Sequence, residues 1–158
     1  HELGHKRRAI ERWLAKIVLA PVGYGHFYIE HNRGHHKDVA TPCDPASARM
    51  GENFYRFVRR EIPGAARRAW QLEASRLARA GQSLWSTNNE ILQTLALTLL
   101  LWGGLILWLG AQIAPFLLLS CFWAYLQLSS ANYIERYGLL RARLPDGRYE
   151  ICQPHHSW

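Results

Sequence analysis

The side chains best suited to chemistry in this sequence are histidines, and five of them form two short motifs near the amino terminus. The first motif is H-E-L-G-H, with His1 and His5 four residues apart; the second is H-N-R-G-H-H, with His31, His35 and His36. Residues four apart share one face of an α-helix, so each motif offers two imidazoles to one metal ion. His36 points about 100° away from His35 on such a helix, toward a second ion or the far side of the first.

The number of histidines helps to distinguish a site for one metal ion from a site for two. Taken alone, the first motif fits a zinc protease, with Glu2 as general base and Asp146 as a distant third ligand. Such a site needs three protein ligands, whereas five imidazoles in two motifs indicate two metal ions. Imidazole binds iron, zinc, copper and nickel, so the ligand type alone does not select the metal. A third hypothesis is a protein that handles or transports metal without being an enzyme.

Four longer runs around these motifs resemble one known family over essentially all 158 residues: HELGHK, EHNRGHHKDVATPCDPASARMGE, NYIERYGLLR and PHHSW. They resemble the bacterial integral-membrane alkane 1-monooxygenases. Fatty-acid desaturases and xylene monooxygenases share the general plan, but desaturases usually carry H-x-x-H-H in the second motif. The spacing H-x-x-x-H-H therefore favours the hydroxylase. Residues 1–158 are expected to be an internal fragment of one such domain, with both histidine motifs within residues 1–36.

The resemblance implies O₂-dependent terminal hydroxylation of n-alkanes at a site with two iron ions, with electrons from rubredoxin. Where the family has another histidine ligand this chain has Arg136, whose guanidinium stays protonated and cannot ligate a metal. The family's last histidine motif would follow Trp158, so the fragment alone is expected to be inactive. The metal ligands that the resemblance implies are His1, His5, His31, His35 and His36.

Other residues near the motifs could orient ligand imidazoles by accepting a hydrogen bond from the second ring nitrogen. The acidic ones could equally be ordinary surface charges. The two histidines near the carboxyl terminus are predicted to be structural or orienting residues and not ligands. The candidates are Glu2, Glu30, Asp38, Glu135, His155 and His156.

A long uncharged stretch is the main element that must position these residues. Residues 91–134 carry no charge, and a membrane span needs about 20 apolar residues. We predict a transmembrane helical hairpin over residues 91–130, with helices at 91–109 and 113–130 and a turn at 110–115. The expected fold class is all-α, an integral membrane helical bundle; two buried helices of a soluble core are the alternative.

Residues 13–29 are apolar but contain Pro21, Gly23 and Gly25, which interrupt helices. A straight helix from His5 to His31 would separate the two motifs by roughly 39 Å. If both motifs bind one metal cluster, the segment must bend back near residues 21–25. We therefore predict a broken pair of helices that does not span the membrane.

Arginines alternate with apolar side chains over residues 52–80, which predicts amphipathic helices at the membrane interface or a solvated pair, interrupted at residues 62–64. Gly81 is a predicted helix end. Near the carboxyl terminus, residues 144–147 predict a turn, and residues 148–152 a short strand or an extended segment.

The formal net charge is +7, and the basic residues flank the apolar stretch. This pattern is typical of a membrane protein and does not indicate nucleic-acid binding. The positive-inside rule places the histidines on the cytoplasmic side of the membrane, and the resemblance implies that this is the bacterial inner membrane. The basic surface is expected to attract acidic rubredoxin or anionic lipid. Three cysteines without a C-x-x-C pair argue against a disulfide framework.

Overall fold

The computed structural model describes residues 9–158, so the first histidine motif, with His1, Glu2 and His5, lies outside the described residues. Strand-like pairing within residues 9–158 is limited to one antiparallel bridge between Arg143 and Tyr149. The predicted all-α fold class is confirmed. The helices are α1 (Ala9–Leu19), α2 (Phe27–Glu30), α3 (His36–Asp38), α4 (Phe54–Arg79), α5 (Glu90–Leu109) and α6 (Ala114–Arg136), with 3₁₀ turns at Ala20–Val22, Ala111–Ile113 and Pro154–His156 and a π-helical turn at His31–His35.

Helices α5 and α6 form the predicted hairpin, and both are long and apolar enough to cross a membrane. The Asn89 side chain caps α5 by accepting hydrogen bonds from two backbone N–H groups of its first turn. Gly110 ends α5 with a φ of 85°, a left-handed conformation that glycine adopts without strain. Helix α6 begins one residue later than predicted and extends past residue 130 to Arg136.

The extra length of α6 is held by contacts with α4 and the segment before it. Ser129 Oγ donates to Glu61 at 2.7 Å, and Asn132 Nδ2 donates to the same carboxylate at 3.3 Å. Tyr133 donates its hydroxyl to the Glu52 carbonyl at 2.6 Å. Asn132 and Tyr133 lie past the predicted end at residue 130, and their contacts hold the added residues of the helix.

The chain breaks after α1, as predicted, and the break lies between the two hairpin helices. The 3₁₀ turn Ala20–Val22 contacts both α5 and α6, and Gly23 reverses the chain with a φ of 62°. Three successive carbonyls in this break each accept a hydrogen bond from a hairpin side chain: Pro21 from Trp102 Nε1 at 2.9 Å, Val22 from Cys121 Sγ at 2.9 Å and Gly23 from Tyr125 Oη at 3.1 Å. Irregular backbone is stable at membrane depth only when its polar groups are satisfied in this way.

The break is a re-entrant turn that lies well inside the hairpin. Trp102 follows Glu90 by twelve residues, which is about 18 Å along a helix and just over half of a hydrocarbon core about 30 Å thick. The returning chain then passes α5 closely, because a Cβ on Gly25 would lie 2.1 Å from the Cβ of Thr94. The second histidine motif follows on the side of the hairpin where α5 begins, since Arg33 contacts Glu90 there.

Helix α4 is continuous from Phe54 to Arg79 with Pro63 inside it, so the predicted interruption at residues 62–64 is wrong. A proline inside a helix costs about 3 kcal/mol or more because it removes a hydrogen bond and clashes with the preceding turn. Packing on both sides of Pro63 offsets this cost, since one stripe of the helix is buried along its whole length: Phe57, Glu61, Ala65, Ala69, Glu73 and Leu77. The interfacial position of this helix stays a prediction.

The predicted ends and turns elsewhere are confirmed. Gly81 follows α4 with a φ of 65°. In the turn before the carboxyl terminus, the Leu144 N–H donates to the Arg148 carbonyl at 2.7 Å. The final residues return to the end of α6, where the backbone N–H of Trp158 donates to the Glu135 carbonyl at 3.1 Å.

Candidate metal centre

The second histidine motif lies in a π-helical turn. The backbone N–H of His36 donates to the carbonyl of His31, five residues earlier. His36 was expected to point away from the face shared by His31 and His35. Instead, the Nε2 atoms of His31 and His36 lie 3.1 Å apart. The wider π turn explains the difference, because it brings together residues that are five positions apart.

The imidazoles of this turn are close enough to share a metal ion. Two nitrogens bound at about 2.1 Å from one ion lie roughly 3.0 to 3.4 Å apart for right-angled or tetrahedral coordination. The 3.1 Å separation of His31 and His36 matches this range. The His35 ring centroid lies 5.5 Å from that of His31 and 5.9 Å from that of His36. The Nε2 atoms of His31 and His36 therefore fit two ligands of one metal ion, and the His35 ring lies beside them.

Two neighbours of the histidines allow the turn to form. Asn32 Nδ2 donates to the Tyr28 carbonyl at 2.8 Å, so its side chain adds a hydrogen bond where the turn begins. Gly34 has no side chain at the point where the Arg68 side chain packs against the turn. A Cβ at this position would lie 2.9 Å from Nε of Arg68 and 3.0 Å from Oε1 of Glu30.

Asp44 contacts the histidine cluster and is not among the residues that the sequence pattern indicated. Its Oδ2 lies 2.9 Å from Nδ1 of His35, and the residue is 1% exposed. Burial alone would raise the pKa of Asp44, but hydrogen bonds and charge from His35, with bonds from Ser47 and Ala46, hold the pKa below its ordinary value. The only signal in the sequence is D-P-A-S soon after the histidine pair, a composition typical of turns in which the aspartate binds nearby backbone.

Arg68 on α4 joins the π turn to the loop that carries Asp44. Its Nη2 donates to the Gly34 carbonyl at 2.9 Å and also contacts the Asp38 carboxylate. Its Nη1 lies 3.4 Å from Asp44 Oδ1 and 3.8 Å from Glu30 Oε1. Asp38 and Glu30, both predicted to orient imidazoles, are thus found beside this guanidinium. Burial, reinforced by the charge of Asp44, raises the pKa of Glu30 to about 7.

A second charge network anchors the other side of the π turn. Arg33 donates to Glu73 on α4 at 3.0 Å and to Glu90 at the start of α5 at 3.3 Å. Lys16 on α1 lies 3.8 Å from the Glu90 carboxylate. Arg76 also binds Glu73, at 2.6 Å. Through these pairs the histidine turn is tied to α1, α4 and α5, an arrangement that the spacing of charges in the sequence did not indicate.

The residues predicted near the carboxyl terminus contact one another at the end of α6. Arg136 donates from Nη1 to the His156 carbonyl at 3.1 Å and lies 3.5 Å from the half-exposed Glu135 carboxylate. Buried His156 accepts a hydrogen bond on Nδ1 from the Gln153 N–H at 2.9 Å, and its Nε2 lies 3.2 Å from Glu150. Both ring nitrogens of His156 are therefore engaged, which fits the structural role expected for it.

The donor atoms of Glu150, His155 and His156 lie within 4.8 Å of one another, a separation that could also admit an ion. The zinc-protease hypothesis required Asp146 as a ligand. Its carboxylate instead accepts hydrogen bonds from the backbone and side chain of Arg148, at 2.9 and 2.6 Å, in an exposed turn. The rest of that hypothesis concerns residues outside the described range.

The chain is similar to known proteins over its whole length. The chain is 61% identical over 158 residues to an alkane 1-monooxygenase of Pseudomonas putida. It is 59% identical over the same length to alkane 1-monooxygenase 1 of Alcanivorax borkumensis. Each match covers all of this chain and 39% of the relative. It is 32% identical over 162 residues to the hydroxylase component of a xylene/toluene monooxygenase of Pseudomonas putida, with 42% of that protein covered. The chain thus spans about two-fifths of the length of these relatives.

The family itself is established over the whole length. A family model described as fatty acid desaturase matches residues 1–158, which include both histidine motifs, the re-entrant turn and the hairpin. The chain belongs to the fatty acid desaturase family.

Proposed function

We propose that the protein containing this chain is an alkane 1-monooxygenase that hydroxylates the terminal carbon of n-alkanes. One atom of O₂ enters the alkane to give a primary alcohol, and two electrons and two protons reduce the other atom to water. The convergence of three imidazoles carries this proposal, with Nε2 of His31 and His36 3.1 Å apart and His35 held beside them by Asp44. The two relatives that bear this name, at 61% and 59% identity, favour alkanes as substrates.

The metal is proposed to be a pair of iron ions held by His31, His35 and His36, with His1 and His5 completing the ligand set. Bound iron would supply the activation of O₂, which amino-acid side chains cannot provide. The contribution of this chain is to hold the imidazoles in place. His35 is 4% exposed and His31 is 9% exposed, so the protein shields both rings from bulk water.

The hairpin suggests how a water-insoluble substrate reaches this centre. Alkanes partition into the bilayer, and large apolar side chains of α5 and α6 are exposed on the outside of the hairpin, among them Leu99, Leu107, Phe116 and Phe122. The re-entrant turn between the two helices leads through α2 into the second histidine motif. A substrate could therefore approach from the hydrocarbon core without crossing water.

We further propose that rubredoxin supplies the electrons and that the histidines face the cytoplasm across the bacterial inner membrane. Support comes from the outer side of α4, where Arg56, Arg59, Arg67 and Arg79 are exposed. Such a surface attracts acidic proteins, and the attraction weakens as salt is added. Anionic lipid headgroups are the competing ligand for the same arginines.

The test uses the full-length parent protein in lipid nanodiscs with O₂, an n-alkane, rubredoxin, its reductase and NAD(P)H. Primary alcohol is measured by gas chromatography, and bound metal by elemental analysis. We expect His35→Ala to abolish alcohol formation and lower bound iron, while Cys152→Ala, at an exposed position, retains both. Unchanged iron and turnover in His35→Ala would refute the proposal, and zinc in place of iron in the wild-type protein would favour the protease hypothesis.

A further inference from the structure

We infer that Asp44 is a positioning residue that fixes the ring orientation and tautomer of His35, so that the lone pair of His35 Nε2 faces the metal. The inference rests on the proposed function in taking His35 to be a ligand. It adds a residue outside the two histidine motifs, eight positions beyond His36.

The hydrogen-bond donors around Asp44 determine which nitrogen of His35 carries the proton. An ionised carboxylate only accepts hydrogen bonds, and a neutral imidazole donates from one nitrogen and accepts at the other. Since Asp44 Oδ2 lies 2.9 Å from Nδ1 of His35, that nitrogen must donate. The lone pair then lies on Nε2, on the opposite edge of the ring. Ligand histidines in metalloproteins are commonly held by a carboxylate in this way.

Asp44 is itself rigidly held, as a positioning residue must be. Ser47 Oγ donates to Oδ2 at 2.6 Å, and the backbone N–H of Ala46 donates to Oδ1 at 3.2 Å. Arg68 Nη1 approaches Oδ1 at 3.4 Å. With His35, four groups therefore donate toward one buried carboxylate, and the ionised form satisfies all of them.

The backbone of the loop shows strain where it supports this arrangement. Ala40 is fully buried with a φ of 55°, a left-handed conformation that is uncommon for residues other than glycine. Its N–H donates to Ser47 Oγ at 2.9 Å, and its carbonyl accepts from the Arg141 N–H at 2.8 Å. Ser47 thus links the strained residue directly to Asp44. Such strain persists only where surrounding contacts enforce it, and it is concentrated at functional sites.

The test replaces Asp44 in the full-length protein and measures metal affinity directly. Asp44→Asn preserves the size and shape of the side chain. It replaces one accepting oxygen by an NH₂ group, which cannot accept the hydrogen bonds that His35 and Ser47 direct at Oδ2. The metal-free protein in detergent is titrated with Co²⁺, followed by its visible absorption, and thermal unfolding confirms the fold. We expect Asp44→Asn to bind Co²⁺ about 10- to 100-fold more weakly than wild type.

Glu52→Gln is the matched control. Glu52 is also a buried carboxylate bound by an arginine, since Arg60 donates to both of its oxygens at 3.0 and 2.8 Å. Its carboxylate accepts hydrogen bonds from the Arg49 backbone and the Arg60 side chain, so this variant is expected to bind Co²⁺ as wild type does. Ser47→Ala, which removes one donor to Asp44, is expected to weaken binding less than Asp44→Asn.

The outcomes separate this inference from the proposed function. Wild-type Co²⁺ affinity in folded Asp44→Asn overturns the positioning role while leaving the metal centre intact. If Asp44→Asn does not fold, Ser47→Ala decides, and wild-type affinity in that variant overturns the inference. A wild-type protein that binds no Co²⁺ overturns the metal centre and the role of Asp44 with it.

Discussion

The Nε2 atoms of His31 and His36 lie 3.1 Å apart across a π-helical turn. In a regular α-helix, positions five apart do not share a face. The π turn therefore gives the adjacent residues His35 and His36 different partners. His36 contacts His31, and His35 contacts Asp44. The geometry of the candidate site depends on whatever maintains this turn.

Gly34 is one such residue, because a side chain there would collide with Arg68 and Glu30. We expect Gly34→Ala to destabilise the full-length protein by about 1–3 kcal/mol, the usual cost of overpacking, and to weaken metal binding. Gly103→Ala is the control, because a Cβ at that helical position meets nothing within 4 Å. Thermal unfolding and Co²⁺ titration of both variants check this. Equal stability and metal affinity in the two variants would show that the close approach at Gly34 is unimportant.

Much of the fold could be predicted from sequence because membrane spans and chain breaks have local signals. An uncharged run predicts the two helices α5 and α6. Single residues predict the bend at Pro21 and the turn at Gly110. The continuity of α4 through Pro63 could not be predicted, because the packing that offsets the proline comes from residues distant in sequence.

The candidate site was predictable to a smaller extent. Histidine spacing predicted a cluster, of which the described residues contain His31, His35 and His36, but the π turn that pairs His31 with His36 has no clear sequence signal. Asp44 could not be selected, because its contact with His35 is set by a loop conformation. The prediction that Arg136 replaces a histidine ligand has a different basis. It depends on the residue that the resembled family has at that position and not on spacing within this chain.

The re-entrant turn depends on side-chain donors from the hairpin. Tyr125 donates its hydroxyl to the Gly23 carbonyl at 3.1 Å. Tyr125→Phe leaves that carbonyl without this donor at membrane depth, and we expect a loss of about 1–3 kcal/mol in the free energy of unfolding. Tyr55→Phe is the control at an exposed position. Unfolding in nanodiscs, followed by circular dichroism, should separate the two variants; identical melting curves would argue against a stabilising role for this bond.

The Glu52–Arg60 pair predicts a dependence of stability on acid pH. Hydrogen bonds from Arg60 lower the pKa of Glu52 from its ordinary value of 4.5, outweighing the opposite effect of burial. A group with a lowered folded-state pKa stabilises the protein above its unfolded pKa and loses that contribution as pH falls through the folded value. We therefore expect Glu52→Gln to be less stable than wild type at pH 7.

As the pH falls below 4.5 and through the lowered pKa of Glu52, the difference in stability between Glu52→Gln and wild type should shrink, because wild type then loses the ionised carboxylate. Melting temperatures measured between pH 3 and pH 7 check this expectation. A stability difference that stays constant across that range would contradict it.

The resemblance predicts a histidine ligand at the position of Arg136, which here donates to the His156 carbonyl. We expect Arg136→His in the full-length protein to increase bound iron and alcohol formation, because an imidazole can ligate a metal and a guanidinium cannot. Arg136→Lys is the control, since it retains the charge without supplying an imidazole. Equal iron content in the two variants would show that this position does not contact the metal.

The central claim is that His1 and His5 meet His31, His35 and His36 around one pair of iron ions. The most direct test is a cryo-electron microscopy map of the iron-loaded full-length protein at a resolution that shows individual imidazoles. We expect two metal densities bounded by both histidine motifs, next to the cytoplasmic end of the hairpin. A map that places His5 and His31 tens of ångströms apart, or on opposite sides of the membrane, would contradict it.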